Sequence, residues 1–337
     1  MKILILGGTG VISRAIVAAA LERGFEVTSV NRGSRKIGFE DRLRTITADR
    51  RDAAAFAAAL RDERPDVVID MIAFTAEEAR QTVEMFRDRA AQIIITSSIA
   101  AYNRPYNSMP ISEDAETLLE GSTFAYGQLK ADLERYLTAE MRETGAAITI
   151  IRPSLTFGAG ARNFGTLRQN YNVVQRIRDG RPLVMIGEGV IPWGFTYVDD
   201  LAQGYILSCG NPRTYNNHFH VVSDEVMLWE DLYRIVGDLV GREPIFYNVP
   251  SALLREFDPA VATHLNAEKA YCSVFSNAKF RKAAPEYRPV WKFKDGMAKL
   301  IASWEEDGLG VDAAKDAQED HICACWEAFR DNLLKKA

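Results

Sequence analysis

Cysteine, histidine and long apolar runs are all scarce in this 337-residue chain. The four cysteines, Cys209, Cys272, Cys323 and Cys325, form no C-x-x-C pair. A disulfide framework or structural zinc site is therefore not expected, and the composition suits a reducing cytoplasm. The four histidines, His218, His220, His264 and His321, fall outside any H-E-x-x-H pattern, so no metal site is expected. No apolar run approaches the roughly 20 residues of a membrane span. The N-terminal run is already broken at Gly7, too early for a signal-peptide core, and reads as a first buried strand. The net charge of -5 lacks the basic excess that nucleic-acid binding usually needs. Neither a membrane nor a nucleic acid is thus an expected partner. What the chain has in quantity is hydrophobic residues, at 47%. At roughly 100–200 residues per domain, the length fits two lobes, or one large lobe with a cap.

The first half alternates apolar runs with segments of helical period. Strands are expected at residues 2–6, 25–30, 43–47, 66–72, 92–96 and 147–151. Helices are expected at 11–23, 52–61, 76–87 and 124–143. Strands that are apolar throughout and separated by helices imply a parallel sheet covered on both faces. The fold class is therefore α/β, a doubly wound parallel sheet. From about residue 158 the rhythm breaks. Helices at 166–179, 199–208 and 229–240 and a strand at 219–222 suggest a smaller mixed lobe, residues 158–310, interleaved with the end of the sheet. Residues 311–337 read as a C-terminal helix with Ile322, Trp326, Phe329 and Leu333 at helical spacing. Acidic residues precede it and Lys335 and Lys336 close it, which suits the helix dipole. It either docks on its own core or forms the contact of a homodimer.

Between the first strand and the first helix lies Gly7-Gly8-Thr9-Gly10-Val11-Ile12-Ser13. Gly7 permits a tight turn with positive φ, and Gly10 lets a pyrophosphate approach the backbone. The helix N-terminus then presents N–H groups to the anion. Ser13 takes the place of a third small residue. Residues 1–157 are accordingly expected to bind a dinucleotide, with Gly7, Thr9, Gly10, Val11 and Ile12 in contact. The second strand ends at Asn31-Arg32, where an acidic residue would favour NAD. A guanidinium can instead pair with a 2′-phosphate, so NADP(H) is the expected cofactor, with NAD(H) as the alternative. A solvated surface arginine is the competing reading of Arg32. After the third strand, Asp49 and Arg50 join the cofactor candidates, although Asp49 also suits a helix cap.

Tyr126 and Lys130 stand four residues apart on a helix, on one face. A nearby ammonium lowers a tyrosine pKa from about 10 and lets the phenol exchange a proton near neutrality. Thr96-Ser97-Ser98 follows the strand at 92–96, at the end where open α/β sheets hold ligands. Ordinary turn chemistry also explains such hydroxyls.

With these elements in order, the chain resembles the extended short-chain dehydrogenase/reductase family, of the NAD-dependent epimerase/dehydratase type. The resemblance rests on the Gly7–Gly10 turn, Asp49, Ser97-Ser98 before Tyr102, Tyr126 with Lys130, Arg152-Pro153, Gly187-Glu188-Gly189 and Tyr197-Val198-Asp199-Asp200. It spans roughly residues 1–305. It implies a Rossmann-type domain, a nicotinamide cofactor and a substrate lobe. Ser98 matches the catalytic hydroxyl, Tyr126 the general acid/base and Lys130 the ribose-holding residue. It adds Ala73, Thr96 and Pro153 as cofactor contacts, and Ser97, Tyr102, Asn163 and Trp193 as substrate contacts. Ile99 and Ala100 stand where nucleotide-sugar dehydratases carry an Asp-Glu pair. Leu155 and Trp193 stand where many epimerases carry diphosphate-binding Asn and Arg. The expected activity is an NADP(H)-dependent oxidoreductase or epimerase acting on a sugar-like or other small carbonyl or hydroxyl compound. The alternatives are a nucleotide-sugar epimerase with tightly bound NAD, or a catalytically silent nucleotide-binding scaffold.

Overall fold

The computed structural model describes residues 1–257 and 263–335. Its elements run β1 (Lys2–Leu6), α1 (Val11–Glu22), β2 (Glu26–Asn31), β3 (Arg44–Thr47), α2 (Ala53–Ala59), β4 (Val67–Asp70), α3 (Ala76–Phe86), β5 (Gln92–Thr96), α4 (Ala125–Thr144) and β6 (Ile148–Pro153). After these come α5 (Tyr171–Asp179), β7 (Pro182–Ile186), α6 (Val198–Ser208), β8 (Asn217–Val221), α7 (Trp229–Val240), β9 (Ile245–Val249) and α8 (Ser251–Phe257). The last helices are α9 (Ala278–Ala283), α10 (Phe293–Glu306) and α11 (Ala313–Leu334).

Two compact units divide the chain. The first comprises Met1–Thr156, Val198–Asp224 and Phe275–Val290; the second comprises Phe157–Tyr197, Glu225–Val274 and Trp291–Ala337. The first unit holds a seven-stranded sheet in the order β8-β6-β5-β4-β1-β2-β3. Every neighbouring pair is parallel. Side chains alternate across a strand, so β1 sends Ile3 and Ile5 to one face and Leu4 and Leu6 to the other. The first face packs on Ile16 and Val17 of α1 and Leu201 and Tyr205 of α6. The second packs on Phe56, Val83, Phe86, Leu133 and Leu137 of α2, α3 and α4. Both faces are dry at the central strands β1, β4 and β5, which is why these carry no polar alternation. At Gly204 a Cβ would lie 2.2 Å from Val221 Cγ1, so glycine lets α6 sit close on β8.

In the second unit β7 pairs in parallel with β9. The helix expected from residue 166 begins only at Tyr171. Gly165, Arg168 and Asn170 have φ of 93°, 57° and 58°, and left-handed backbone cannot continue a right-handed helix. The C-terminal helix α11 is tied to α5 and β7. Buried Arg176 on α5 pairs with Asp316 and Asp320 of α11, and Glu319 accepts from the Val184 amide at 2.8 Å. Further along α11, Trp326 stacks on Phe329, while Phe329 and Leu333 are exposed. Lys336 lies outside the described residues. Among the described residues no helix is long and apolar enough to cross a membrane.

Candidate functional site

The turn after β1 is built from two left-handed glycines, Gly7 and Gly8, with φ of 118° and 110°. A Cβ on Gly8 would lie 2.3 Å from Ser29 Oγ, so a side chain there is excluded. The Ser29 hydroxyl donates to the Gly7 carbonyl at 2.8 Å and locks the turn. Gly10 is extended and starts α1; its amide donates to Ser13 Oγ at 2.9 Å, and that hydroxyl donates back to the Gly10 carbonyl at 3.2 Å. Ser13 is thus a polar stitch as well as a small residue. Thr9, Val11 and Ile12 are half-buried at the start of the helix. Beside the turn opens a cavity of about 340 Å³, lined by Gly7, Thr9, Asn31, Arg32, Asp49 and Phe74 among others. A glycine turn, a helix N-terminus and this adjoining space fit a dinucleotide.

The four polar residues expected around the adenosine end have different surroundings. Asn31 is buried and closes its own turn, accepting from the Gly33 amide at 2.8 Å and donating to Ser29 Oγ at 3.2 Å. Arg32 is exposed on the cavity wall with Arg35, and neither pairs with a carboxylate among the described residues. Asp49 is hydrogen-bonded by the Arg51 guanidinium, which holds its carboxyl down at about 2. Asp52, not Asp49, caps α2, accepting from the Ala55 amide at 3.0 Å. Arg50 is also among the residues that line this cavity. It is buried, with Nη1 and Nη2 on Asp70 at 3.2 and 3.0 Å and Nη2 on Thr82 Oγ1 at 2.7 Å. Its guanidinium serves to satisfy a buried carboxylate. Asp70 in turn accepts from the Ile72 and Ala73 amides at 2.8 and 2.9 Å, which shapes the loop after β4.

Lys130 lies one turn beyond Tyr126 on α4. Its buried ammonium donates to the carbonyls of Ala73 at 2.7 Å and Thr96 at 2.8 Å, after the ends of β4 and at the end of β5. Burial pushes its pKa down to about 8, against the pull of Asp70, Glu134 and Glu78. Tyr126 is 39% exposed, and Ser98 is half-buried with its Oγ accepting from the Ala100 amide at 3.1 Å. Gly127 brings these two segments together: a Cβ there would lie 2.5 Å from the Ala100 carbonyl oxygen. Thr96 Oγ1 is 2.8 Å from the hydroxyl of buried Tyr205. Pro153 is buried at the end of β6, in register with Val221.

Three residues expected to meet substrate are instead packed inside. Ser97 donates to Glu134, which also holds Arg152 in a buried ion pair. Arg152 outweighs the effect of burial and keeps the Glu134 carboxyl below the usual range. The Tyr102 hydroxyl meets Arg152 Nη1 and His220 Nε2, each at 2.6 Å, and burial raises its pKa well above that of a free phenol. Trp193 packs on Trp229 with ring centroids 5.0 Å apart. All three are fully buried, and Ser97 and Tyr102 spend their hydroxyls on Glu134, Arg152 and His220. Asn163 belongs to the second unit and is half-buried. Gly8, Ser29, Asp70, Gly127 and Tyr205 were not singled out from sequence. The doubled glycine and the lone acid ending the apolar run Val67–Asp70 were the available signals. Among the described residues no cluster of His, Cys, Asp or Glu is placed to hold a metal ion.

The glycine turn, the helix N-terminus and the cavity beside them are those of a dinucleotide-binding α/β fold. Residues 3–221 match the NAD dependent epimerase/dehydratase family, and the chain belongs to it. It is similar to 2'-dehydrokanamycin reductase of Streptomyces kanamyceticus, 23% identical over 290 residues, covering 86% of this chain and 80% of the relative. It is also similar to the chloroplast stem-loop binding protein of 41 kDa b of Arabidopsis thaliana. That match is 24% identical over 278 residues, 76% of this chain and 67% of the relative. In structure it resembles UDP-glucuronic acid 4-epimerase from Bacillus cereus, solved in complex with NAD. The TM-score is 0.71 at 17% identity, covering 91% of this chain and 97% of that one, a likeness of fold.

Proposed function

We propose that the chain is an NADP(H)-dependent oxidoreductase or epimerase that works on a small carbonyl or hydroxyl compound through Ser98, Tyr126 and Lys130. The observation that carries this reading is the buried Lys130 ammonium one helical turn from the exposed Tyr126 phenol. Two of its donors are spent on the Ala73 and Thr96 carbonyls, which leaves a third for a ribose hydroxyl. Its charge favours phenolate on Tyr126. Tyr126 then gives or takes the proton at the substrate oxygen. Ser98 Oγ already accepts from the Ala100 amide, so its own proton is left to donate to that oxygen. The bound nicotinamide supplies or accepts the hydride at the adjacent carbon. Gly7, Thr9, Gly10, Val11 and Ile12 would hold the pyrophosphate.

NADP(H) is favoured over NAD(H) because Asp49 on the cavity wall is engaged by Arg51, while Arg32 and Arg35 line the same cavity without forming an ion pair among the described residues. A 2′-phosphate would be bound there by charge-assisted hydrogen bonds. The structural likeness to a UDP-glucuronic acid 4-epimerase supports a second reading, nucleotide-sugar epimerisation with bound NAD. Trp193 in place of a diphosphate-binding guanidinium weighs against it. The name of the chloroplast relative suggests an RNA-binding scaffold, which the net charge of -5 disfavours. Titration with NADPH and NADH tests the cofactor, and equal affinities would overturn the preference. Calorimetry with UDP-glucose tests the substrate class, and micromolar binding would restore the second reading.

A further inference from the structure

Lys269 is fully buried in the second unit, at the end of a π-helical turn, Leu265–Lys269. Its partners are the Gly165 carbonyl and the Trp229 ring, whose centroid is 5.7 Å from Nζ. No carboxylate among the described residues pairs with it. Three more polar groups in this cluster are buried without a hydrogen-bond partner: Trp193 Nε1, Trp229 Nε1 and Ser273 Oγ. Their residues are neighbours: Trp193 packs on Trp229, and its backbone bridges to Ser273. An ammonium and two indole N–H groups are donors only, and the hydroxyl donates as readily as it accepts. Water is a poor occupant for such a set, because its own two protons would find few acceptors. A group that only accepts, and carries one negative charge, complements it.

We propose that the second unit carries a carboxylate-binding site centred on Lys269, with Trp193, Trp229 and Ser273 as its further donors. A carboxylate matches the single ammonium in charge, and its plane suits the flat walls of two indoles; a phosphate dianion would leave one charge unmatched. The site does not depend on the reaction assigned above. It names a class of small molecule for this unit: a carboxylic acid with an apolar body.

The test titrates the full chain with propionate and benzoate, following tryptophan emission, against sodium chloride at matched ionic strength. Inorganic phosphate forms a separate arm. The expected result is a saturable response to a carboxylate that chloride does not reproduce. It should weaken at least ten-fold in Lys269→Met and several-fold in Ser273→Ala. It should also weaken between pH 6 and 9, because burial pushes the Lys269 pKa down to about 7. Arg168, Glu268, Lys315 and His264 face the same ammonium. Burial keeps His264 at about 4, so it does not titrate in that window. No carboxylate response beyond chloride would overturn the proposal, as would tighter binding of phosphate. If Lys269→Met does not fold, Ser273→Ala decides: an unchanged carboxylate affinity in that variant would sink the assignment.

Discussion

The two units each bury an ammonium group, and they treat it in opposite ways. Lys130 in the first unit has two carbonyl acceptors and sits in the field of Asp70, Glu134 and Glu78. Lys269 in the second has one carbonyl, and Arg168 and Lys315 add to the penalty of burial, with only Glu268 pulling the other way. The same pattern extends to the other buried cations of the first unit, since Arg50 is matched by Asp70 and Arg152 by Glu134. A charge that is already satisfied can be put to work on a neighbour, as Lys130 is on Tyr126. A charge left unsatisfied marks a place where a ligand completes the structure.

The largest effect should fall on the pair that uses the satisfied charge. Tyr126→Phe keeps the ring and removes the proton-carrying oxygen, so turnover should drop about 10²–10⁴-fold. NADPH affinity and melting temperature should hardly change. Full turnover in this variant would break the contrast, because Lys130 would then have nothing to act on. Next in size is the stability of the matched pairs. Arg152→Met leaves the Glu134 carboxylate buried without its partner, at a cost of about 3–5 kcal/mol. A melting temperature near that of the wild type would mean that the first unit's charges are not held as tightly as their geometry indicates.

The sequence made one side of this contrast readable and hid the other. The strands were legible because Val67–Asp70 and Gln92–Thr96 are apolar nearly throughout, a pattern that only a two-sided sheet explains. The glycine turn was legible because φ above zero is a local demand. Partners distant in the chain were not. Ser97 and Ser98 were adjacent candidates set apart only by their position relative to Tyr102, and Glu134 on α4 claims the first and leaves the second half-buried. Tyr102 matched a family position, yet its hydroxyl is used by Arg152 and His220, the latter 118 residues away. Arg50 follows Asp49 directly, but its carboxylate partner is 20 residues on. Lys269 drew no notice, since only the fold brings it beneath Trp229.

Arg32 extends the contrast to the cavity beside the glycine turn, where a cation forms no ion pair among the described residues and the nearby Asp49 is held by Arg51. Arg32→Ala should lower NADPH affinity roughly ten- to hundred-fold, the equivalent of about 1.5–3 kcal/mol for a charge-assisted pair. NADH affinity should be little altered, and an equal loss for both cofactors would assign Arg32 a general electrostatic role instead.

The smallest effect separates the two lysines directly, through the pH dependence of stability. A base whose folded pKa is lowered gives up its proton in the folded chain before it does so in the unfolded chain. For Lys269 that window runs from about 7 to 10.5; for Lys130 it opens only near 8. Within each window the unfolded state binds more protons, so stability rises with pH. Between pH 7 and 8 the rise should therefore come chiefly from Lys269. The difference in melting temperature between wild type and Lys269→Met should move in favour of the wild type across that unit of pH. A saturating carboxylate should flatten the trend, because it holds the proton on the ammonium and shifts the window upward. A difference that stays constant from pH 7 to 8, with or without the carboxylate, would show that Lys269 keeps its charge in the folded chain. The second unit would then hold this ammonium much as the first holds Lys130.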